Sequence, residues 1–520
     1  MKKVKNFIKK HWFIILIITI SIIRFLFTYK LPNFYLSNLS YDDKLMIDRF
    51  SSIMSRSYLS LVYERKTLIK GPFFPFVLSL IRIYKISYSS AFSLLYIFSC
   101  LFFTYSLKNI IKEKKYLILI YILLLFNPVT YSQDLFQRLY RNSISITELL
   151  FFLGSITLVL FSKKKKIYYF ILYGLSLVFM FLTREDNIWV YPTIAFIIGY
   201  NFFKNKRIKT ILINIIPILI LILSLNMISY INYKHYGIYT YNEIQKSEFH
   251  NTYKKILQIK DEEKIEKVSI PKSTFYKLSE NTKSFGLTKE EIDDFYNNYA
   301  GKNKEIYNGN IIWYFRLMID RKKKFNNGKD SELYYKSLGK EIDKLFEKGT
   351  LEKEFTMPSV FMSVPTKKEI KQLPKNILRT IVYTSSYKNI KTMTNTSKYE
   401  YDEKVKSYYF EYEDYHHTIN IVKKNPLKYE LIRLIYKYLT IIFSIICLII
   451  YLKNILKFDE ISIISHILII CYTLIIGGVA YTHTTSFHAI RPLYLGNIYI
   501  LQCIFIVINL YRLKDYKIVK

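Results

Sequence analysis

Residues 211–225 read ILINIIPILILILSL, fifteen positions without a charged side chain. Lipid offers a bare backbone no hydrogen bonds, so a run of this kind must be helical. Crossing the hydrocarbon takes roughly 20 mostly apolar residues, and the flanks extend this run to about that length. Similar runs occur at Phe13–Ile23, Leu117–Phe126 and Tyr438–Leu452. They coexist with 22% charged residues, close to a soluble protein's share, in a 520-residue chain that is 51% hydrophobic. Apolar and charged residues are therefore segregated, which is the pattern of an all-α polytopic membrane protein.

The pattern predicts about ten transmembrane helices, near 12–29, 88–107, 116–132, 143–161, 167–183, 188–203, 210–230, 433–452, 461–481 and 494–511. The loops that then share one side are Lys108–Lys115, Lys163–Lys166, Lys204–Lys209, Lys453–Lys457 and Arg512–Lys520, all dominated by basic residues. Short basic loops stay in the cytoplasm, so both termini are expected there. Lys+Arg 76 against Asp+Glu 40 gives a net charge of +36. In a soluble protein that excess would suggest a nucleic-acid partner. Here much of it lies in short loops and reports topology, so no nucleic acid is expected. The basic start Met1–Lys10 precedes an apolar run with no small-residue cleavage site after it, and reads as an uncleaved first span.

Pro72–Lys85 is apolar but too short to span, and its crossing would move every later basic loop outside. It is expected to lie along the outer interface. The organisation is then an N-terminal transmembrane module at 1–230 with an outer loop at 30–87, an extracytoplasmic and mainly helical domain at 231–432, and a C-terminal transmembrane module at 433–520. A domain of that length is exempt from the positive-inside bias. Within it, Thr288-Lys289-Glu290-Glu291 is a capping-box start for a helix to about Tyr299. Ser331–Lys348 reads as a second helix, with Tyr334, Leu338, Ile342 and Leu345 as its apolar stripe and Gly349 as its stop. Cys100, Cys447, Cys471 and Cys503 all fall in apolar runs and read as small apolar filler. There is no glycine-rich phosphate loop and no Cys/His metal spacing. His416-His417 is an adjacent pair whose side chains diverge, as surface residues do.

Candidate chemistry gathers on the outer side. Asp42-Asp43 follows the first span, and adjacent carboxylates beside a membrane are costly to desolvate. They read either as a solvated loop or helix cap, or as a base or metal ligand beside lipid-borne substrates. Lys70, in Thr67–Pro75, sits where the chain returns to the membrane; it either snorkels to headgroups or neutralises a phosphate. Other outer loops carry Arg138, Tyr140 and Arg141 after Phe126-Asn127-Pro128, then Arg184-Glu185-Asp186, then His483, His488, Arg491 and Tyr494. Arginines on short outer loops run against the charge bias. They pair with Glu185 and Asp186, meet anionic lipid, or bind a phosphate-bearing substrate.

Taken in order, these pieces, with Trp313 and Arg316, resemble the large membrane glycosyltransferases of the GT-C fold. Several of them resemble a bacterial family-39-like subgroup, related to protein O-mannosyltransferases and aminoarabinose transferases. The resemblance spans nearly the whole chain. It implies a polyprenyl-phosphate sugar donor and an extracytoplasmic acceptor, with Asp42 and Asp43 as base or metal ligands. The mannosyltransferase branch tends to carry Lys-Pro-Pro where this chain has Lys70-Gly71-Pro72, so donor identity and the role of Lys70 stay open. Lys70, Arg138, Arg141, Arg184 and Arg491 are the cations available to the phosphate leaving group. A divalent ion on Asp42, Asp43 or Glu185 could share that task, hard oxygen ligands favouring magnesium or manganese. Two other classes remain: a flippase or polymerase of lipid-linked sugars, and a non-enzymatic sensor. A flippase should line a path with charges inside its spans. A sensor needs neither the acidic pair nor the outer arginines.

Overall fold

The computed structural model describes residues 2–29, 31–36, 42–163, 166–205, 208–261, 264–301, 303–392 and 427–517. Tyr41, the His416-His417 pair and Lys520 lie outside them. Regular structure among the described residues is helical, apart from isolated bridges at Phe34–Arg138 and Ile259–Lys353.

Seven helices are long and apolar enough to cross a membrane. They are α1 (Lys2–Thr28), α4 (Tyr88–Leu107), α6 (Asn142–Phe161), α9 (Ile208–Tyr236), α16 (Leu427–Lys453), α17 (Glu460–Thr485) and α18 (Pro492–Lys517). Three further helices at expected spans are shorter: α5 (Lys114–Leu125), α7 (Ile167–Thr183) and α8 (Val190–Asn205), of 12, 17 and 16 residues. α5 stops early for a local reason. Pro128 supplies no N–H and biases Asn127 away from helix, so the chain leaves α5 for a 3-10 turn at Pro128–Tyr131 and a wide π turn at Gln133–Gln137.

Burial sorts the long helices. The apolar windows of α6 and α18 are 94% and 83% buried, whereas those of α1, α9 and α16 are 17%, 22% and 28% buried. The outer helices turn Ile18, Ile22, Leu26, Leu219, Leu223, Ile442 and Ile445 outward. A continuous apolar exterior of this extent suits lipid rather than water. The four cysteines are free and buried in the bundle.

Two short helices lie in the 30–87 segment, α2 (Asp43–Met54) and α3 (Phe73–Ile83). α3 has 11 residues, about 16 Å at 1.5 Å per residue, well short of the hydrocarbon thickness. It buries Phe74, Leu78 and Ile81 and exposes Phe76, Leu80 and Ile83, so it is apolar all round without the length to cross.

A separate core forms beyond α9. Helices α10 (Glu248–Leu257), α11 (Lys272–Asn281), α12 (Lys289–Tyr299), α13 (Asn308–Lys323) and α14 (Gly328–Glu347) enclose Phe249, Tyr253, Phe275, Phe315 and Tyr335. Thr288 and Glu291 form the capping box that starts α12. α14 begins before the expected Ser331 because the Asn327 side chain accepts the Asp330 N–H and caps the helix there. Gly349 follows α14 at φ +71°, the left-handed conformation that glycine adopts freely. α15 (Lys367–Ser386) leaves this unit and returns to the bundle, packing on α17 with Ile377, Ile381 and Tyr383 against the bundle core.

Candidate active site

The first structural event after α1 is the cap of α2. Asp42 occupies the N-cap position but makes no capping bond with its side chain, which leaves the carboxylate to other partners. Asp43 points the other way and is fully buried. It accepts from Arg138 Nε at 2.7 Å, from Arg138 Nη2 at 2.5 Å and from the Leu36 N–H at 3.1 Å. This fork-to-fork pair, with Phe34 and Leu139 bonded through their backbones, fastens α2 to the 133–141 segment. The same contact commits Arg138 to Asp43, so its guanidinium does not stand open for a substrate phosphate.

Lys70 is brought in by a clamp. Arg49, buried on α2, donates to the carbonyls of Lys66, Thr67 and Lys70 at 2.9, 2.7 and 3.0 Å. The next residue, Gly71, lies so close to the end of α7 that a Cβ there would come within 1.7 Å of the Leu182 carbonyl oxygen. Only glycine lets the loop approach that far. The approach sets Lys70 Nζ 3.2 Å from Glu185 Oε1 and 3.3 Å from Asp42 Oδ2. Arg141, at the start of α6, pairs with the other Glu185 oxygen and donates from Nε to the Tyr140 hydroxyl at 3.0 Å. The result is a chain of alternating charge: Asp42, Lys70, Glu185, Arg141.

Most of this chain is buried; Lys70 and Glu185 keep 6% of their side-chain surface, but Asp42 keeps 32%. Burial pushes the Asp42 pKa up, but Lys70 and Arg141 outweigh it and hold the group below its ordinary value. Burial and Arg141 press the Lys70 ammonium to lose its proton, but Glu185 and Asp42 hold its pKa above the ordinary lysine value. Glu185 is likewise lowered, Arg141 and Lys70 overcoming its desolvation.

Other candidates surround this chain. Arg184 pairs with Asp186, Nε to Oδ1 at 2.9 Å. Tyr494, half-buried at the start of α18, lies close enough to Arg184, Asp186, Lys70 and Arg141 to interact with their charges. His488 and Arg491 are not brought into the chain. They stand exposed in the α17–α18 loop, where Arg491 faces Asp134 and the His488 ring lies tilted against that of His483.

The unit beyond α9 covers the site. The Asn242 side chain and the Glu243 N–H bond the carbonyls of Ile69 and Leu68 at 3.1 and 3.0 Å, and Gln245 bonds the Glu185 carbonyl at 2.5 Å. Trp313 of α13 presents its ring 5.1 Å from Lys70 Nζ. Arg316 is committed elsewhere, to Glu243 at 2.7 Å in a buried pair. Arg49, Gln245 and the covering position of Trp313 were not legible from spacing, since each depends on a contact between distant segments.

Two ionisable side chains inside the expected spans are buried as well. Arg24 of α1 is fully buried; it donates to the Thr130 carbonyl at 2.9 Å and lies 5.4–6.0 Å from the rings of Tyr96, Tyr131 and Phe136. Glu148 of α6 accepts from the Thr183 hydroxyl.

The carboxylates expected as metal ligands are paired with side-chain cations. Asp43 is occupied by Arg138, and the point between Asp42 and Glu185, where a bridging cation would sit, is held by the Lys70 ammonium. Among the described residues no group of three or more His, Cys, Asp or Glu side chains is arranged to hold a metal. Compared with protein families, curated proteins and solved structures, the chain finds no match.

Proposed function

We propose that the chain is a membrane glycosyltransferase that moves a sugar from a polyprenyl-phosphate donor in the membrane to an extracytoplasmic acceptor. The observation that carries this reading is the Lys70 ammonium held between Asp42 and Glu185 where the apolar helices end. In the topology that goes with it, about ten spans leave both termini in the cytoplasm, and the unit beyond α9 lies outside. The basic short loops support that orientation.

The chemistry follows from the charge chain. A donor phosphate arriving at the interface competes with Glu185 for Lys70 and Arg141. Asp42, loosened from Lys70, gains basicity and takes the proton of the acceptor hydroxyl. The acceptor oxygen bonds to the anomeric carbon as the sugar–phosphate C–O bond breaks. The electron pair leaves on the polyprenyl phosphate, where Lys70 and Arg141 meet the growing charge. Arg138 and Asp43 hold the loop in place, and Tyr494, Arg184 and Asp186 border the sugar. No step is assigned to a metal ion.

A flippase reading would use Arg24 and Glu148 to line a path. Both are sealed in protein, at 0% and 5% exposure, so transfer is the better account. The test is release of labelled sugar from a polyprenyl-phosphate donor to endogenous acceptor in membranes holding the full chain. Wild type should transfer. Lys70→Gln, at normal membrane level, should lose transfer by about 10²-fold, the scale of one lost electrostatic stabiliser. Equal transfer by the variant would remove Lys70 from the mechanism.

A further inference from the structure

A second basic group lies on the same end of the bundle and takes no part in the charge chain. The rings of His483 and His488 are 4.6 Å apart. His483 is 8% exposed, and its Nδ1 has no hydrogen-bond partner among the described residues. Lys267 and Arg379 act electrostatically on both rings, and Arg491 acts on His488. Lys267 is tied in through its carbonyl, which accepts the Asn308 N–H at 2.9 Å, while the Asn308 side chain donates to the Thr485 carbonyl at 2.6 Å. Arg379 lies one turn beyond Asn376, whose side chain donates to the Thr484 hydroxyl at 2.9 Å. Arg491 follows His488 on the same loop, and all three cations act on His488 electrostatically. Among the described residues none of the three forms an ion pair. Of the acids nearby, Glu369 is occupied by the backbone N–H groups of Lys267 and Thr366, and Asp134 faces Arg491 and Arg138.

The two basic groups are joined by α13. Its first residue, Asn308, contacts the loop beside His483, and Gly309 packs on Phe487, the neighbour of His488. Trp313, five residues along α13, sits at Lys70. Five residues of helix rise about 7.5 Å along its axis. Tyr494 lies between the groups, its ring 5.7 Å from Phe487 and within reach of the charges around Lys70.

We infer that His483, His488, Lys267, Arg379 and Arg491 form a second anion subsite that binds a phosphate group, that of a phosphate-bearing acceptor in the transfer proposed above. The position as an acceptor site rests on that reading. The binding of phosphate does not, and it is tested without turnover.

The full chain is placed in phosphatidylcholine nanodiscs and titrated with inorganic phosphate, read by ³¹P line broadening. A second arm uses nanodiscs containing phosphatidic acid. Wild type should bind phosphate saturably, and Lys267→Gln/Arg379→Gln should weaken binding at least tenfold. A control, Lys371→Gln/Lys375→Gln, neutralises two exposed lysines of α15 outside the group and should leave binding unchanged. Competition by phosphatidic acid identifies a lipid headgroup as the phosphate source; its absence identifies a phosphate on a non-lipid ligand. Either supports the subsite. Absence of binding by wild type in both arms, or equal loss in the control variant, overturns it. Absence of sugar transfer by wild type, with phosphate binding intact, would strike the transferase reading and leave the subsite standing.

Discussion

Asp42 and Asp43 are adjacent in sequence and opposite in situation. Asp43 is sealed against Arg138, and removing one member of such a buried pair strands the other. Arg138→Ala should therefore destabilise the protein by about 3–5 kcal/mol and show first as reduced membrane level. Asp42→Asn changes a third-exposed side chain, so insertion should survive while transfer falls. Its pH behaviour has a defined sign. Burial raises the Asp42 pKa, but Lys70 and Arg141 bring it below the ordinary value, so the base form persists as pH falls through the usual carboxylate range. The kcat/KM for transfer, which reports the free enzyme, should hold level from neutrality into mild acid and decline only below that range. A decline centred between pH ~6 and ~7, the ordinary histidine range, would point to a different base. Gly71 makes a sharper steric test. A methyl group there meets a backbone oxygen that cannot rotate away. Gly71→Ala should cost about 1–3 kcal/mol and at least tenfold in transfer, read as a lowered unfolding temperature in detergent together with the rate.

At the scale of elements, the unit beyond α9 carries carboxylates with the opposite shift. Glu305 and Glu332 are both raised to about 7, chiefly by burial. A raised carboxylate pKa means the folded state holds a proton that the unfolded chain has released. Stability contributed by that proton is present below the unfolded pKa and is lost as pH rises toward about 7. Glu332→Gln should therefore raise the unfolding temperature at pH 8 and matter little at pH 4.5; equal effects at both values would assign the change to packing. The elements themselves were largely readable. Apolar run length gave the long helices, and Thr288 with Glu291 gave the start of α12 to the residue. Short α5 was less legible, because the apolar run continues past Pro128 while the backbone cannot. α15 is amphipathic, and sequence does not say that its apolar side faces the bundle rather than the neighbouring domain. The candidate site was legible as a set of charges on one face. Its pairing was not, since Lys70 could have met Asp42, Glu185 or a headgroup until Arg49 and Gly71 fixed the loop.

Over the whole molecule, the account needs the charge chain and the covering unit to share the extracytoplasmic side. A reporter fused after Lys166 should then be cytoplasmic, and one inserted near Asn281 external; an external reporter at Lys166 would invert the scheme. In the proposed orientation, the exposed apolar faces of α1, α9 and α16 would meet lipid, and a polyprenyl carrier would present its phosphate near Lys70. The unit beyond α9 closes the site through Asn242, Glu243, Gln245 and Trp313, limiting water at the step where hydrolysis would compete with transfer. The central claim is that Asp42 activates the acceptor while Asp43 only supports the loop. The most direct measurement is sugar transfer from a labelled polyprenyl-phosphate donor, normalised to membrane-inserted protein, for wild type and Asp42→Asn. The account predicts normal protein level and a rate lower by about 10²–10⁴-fold. Full transfer by Asp42→Asn at normal level would contradict it.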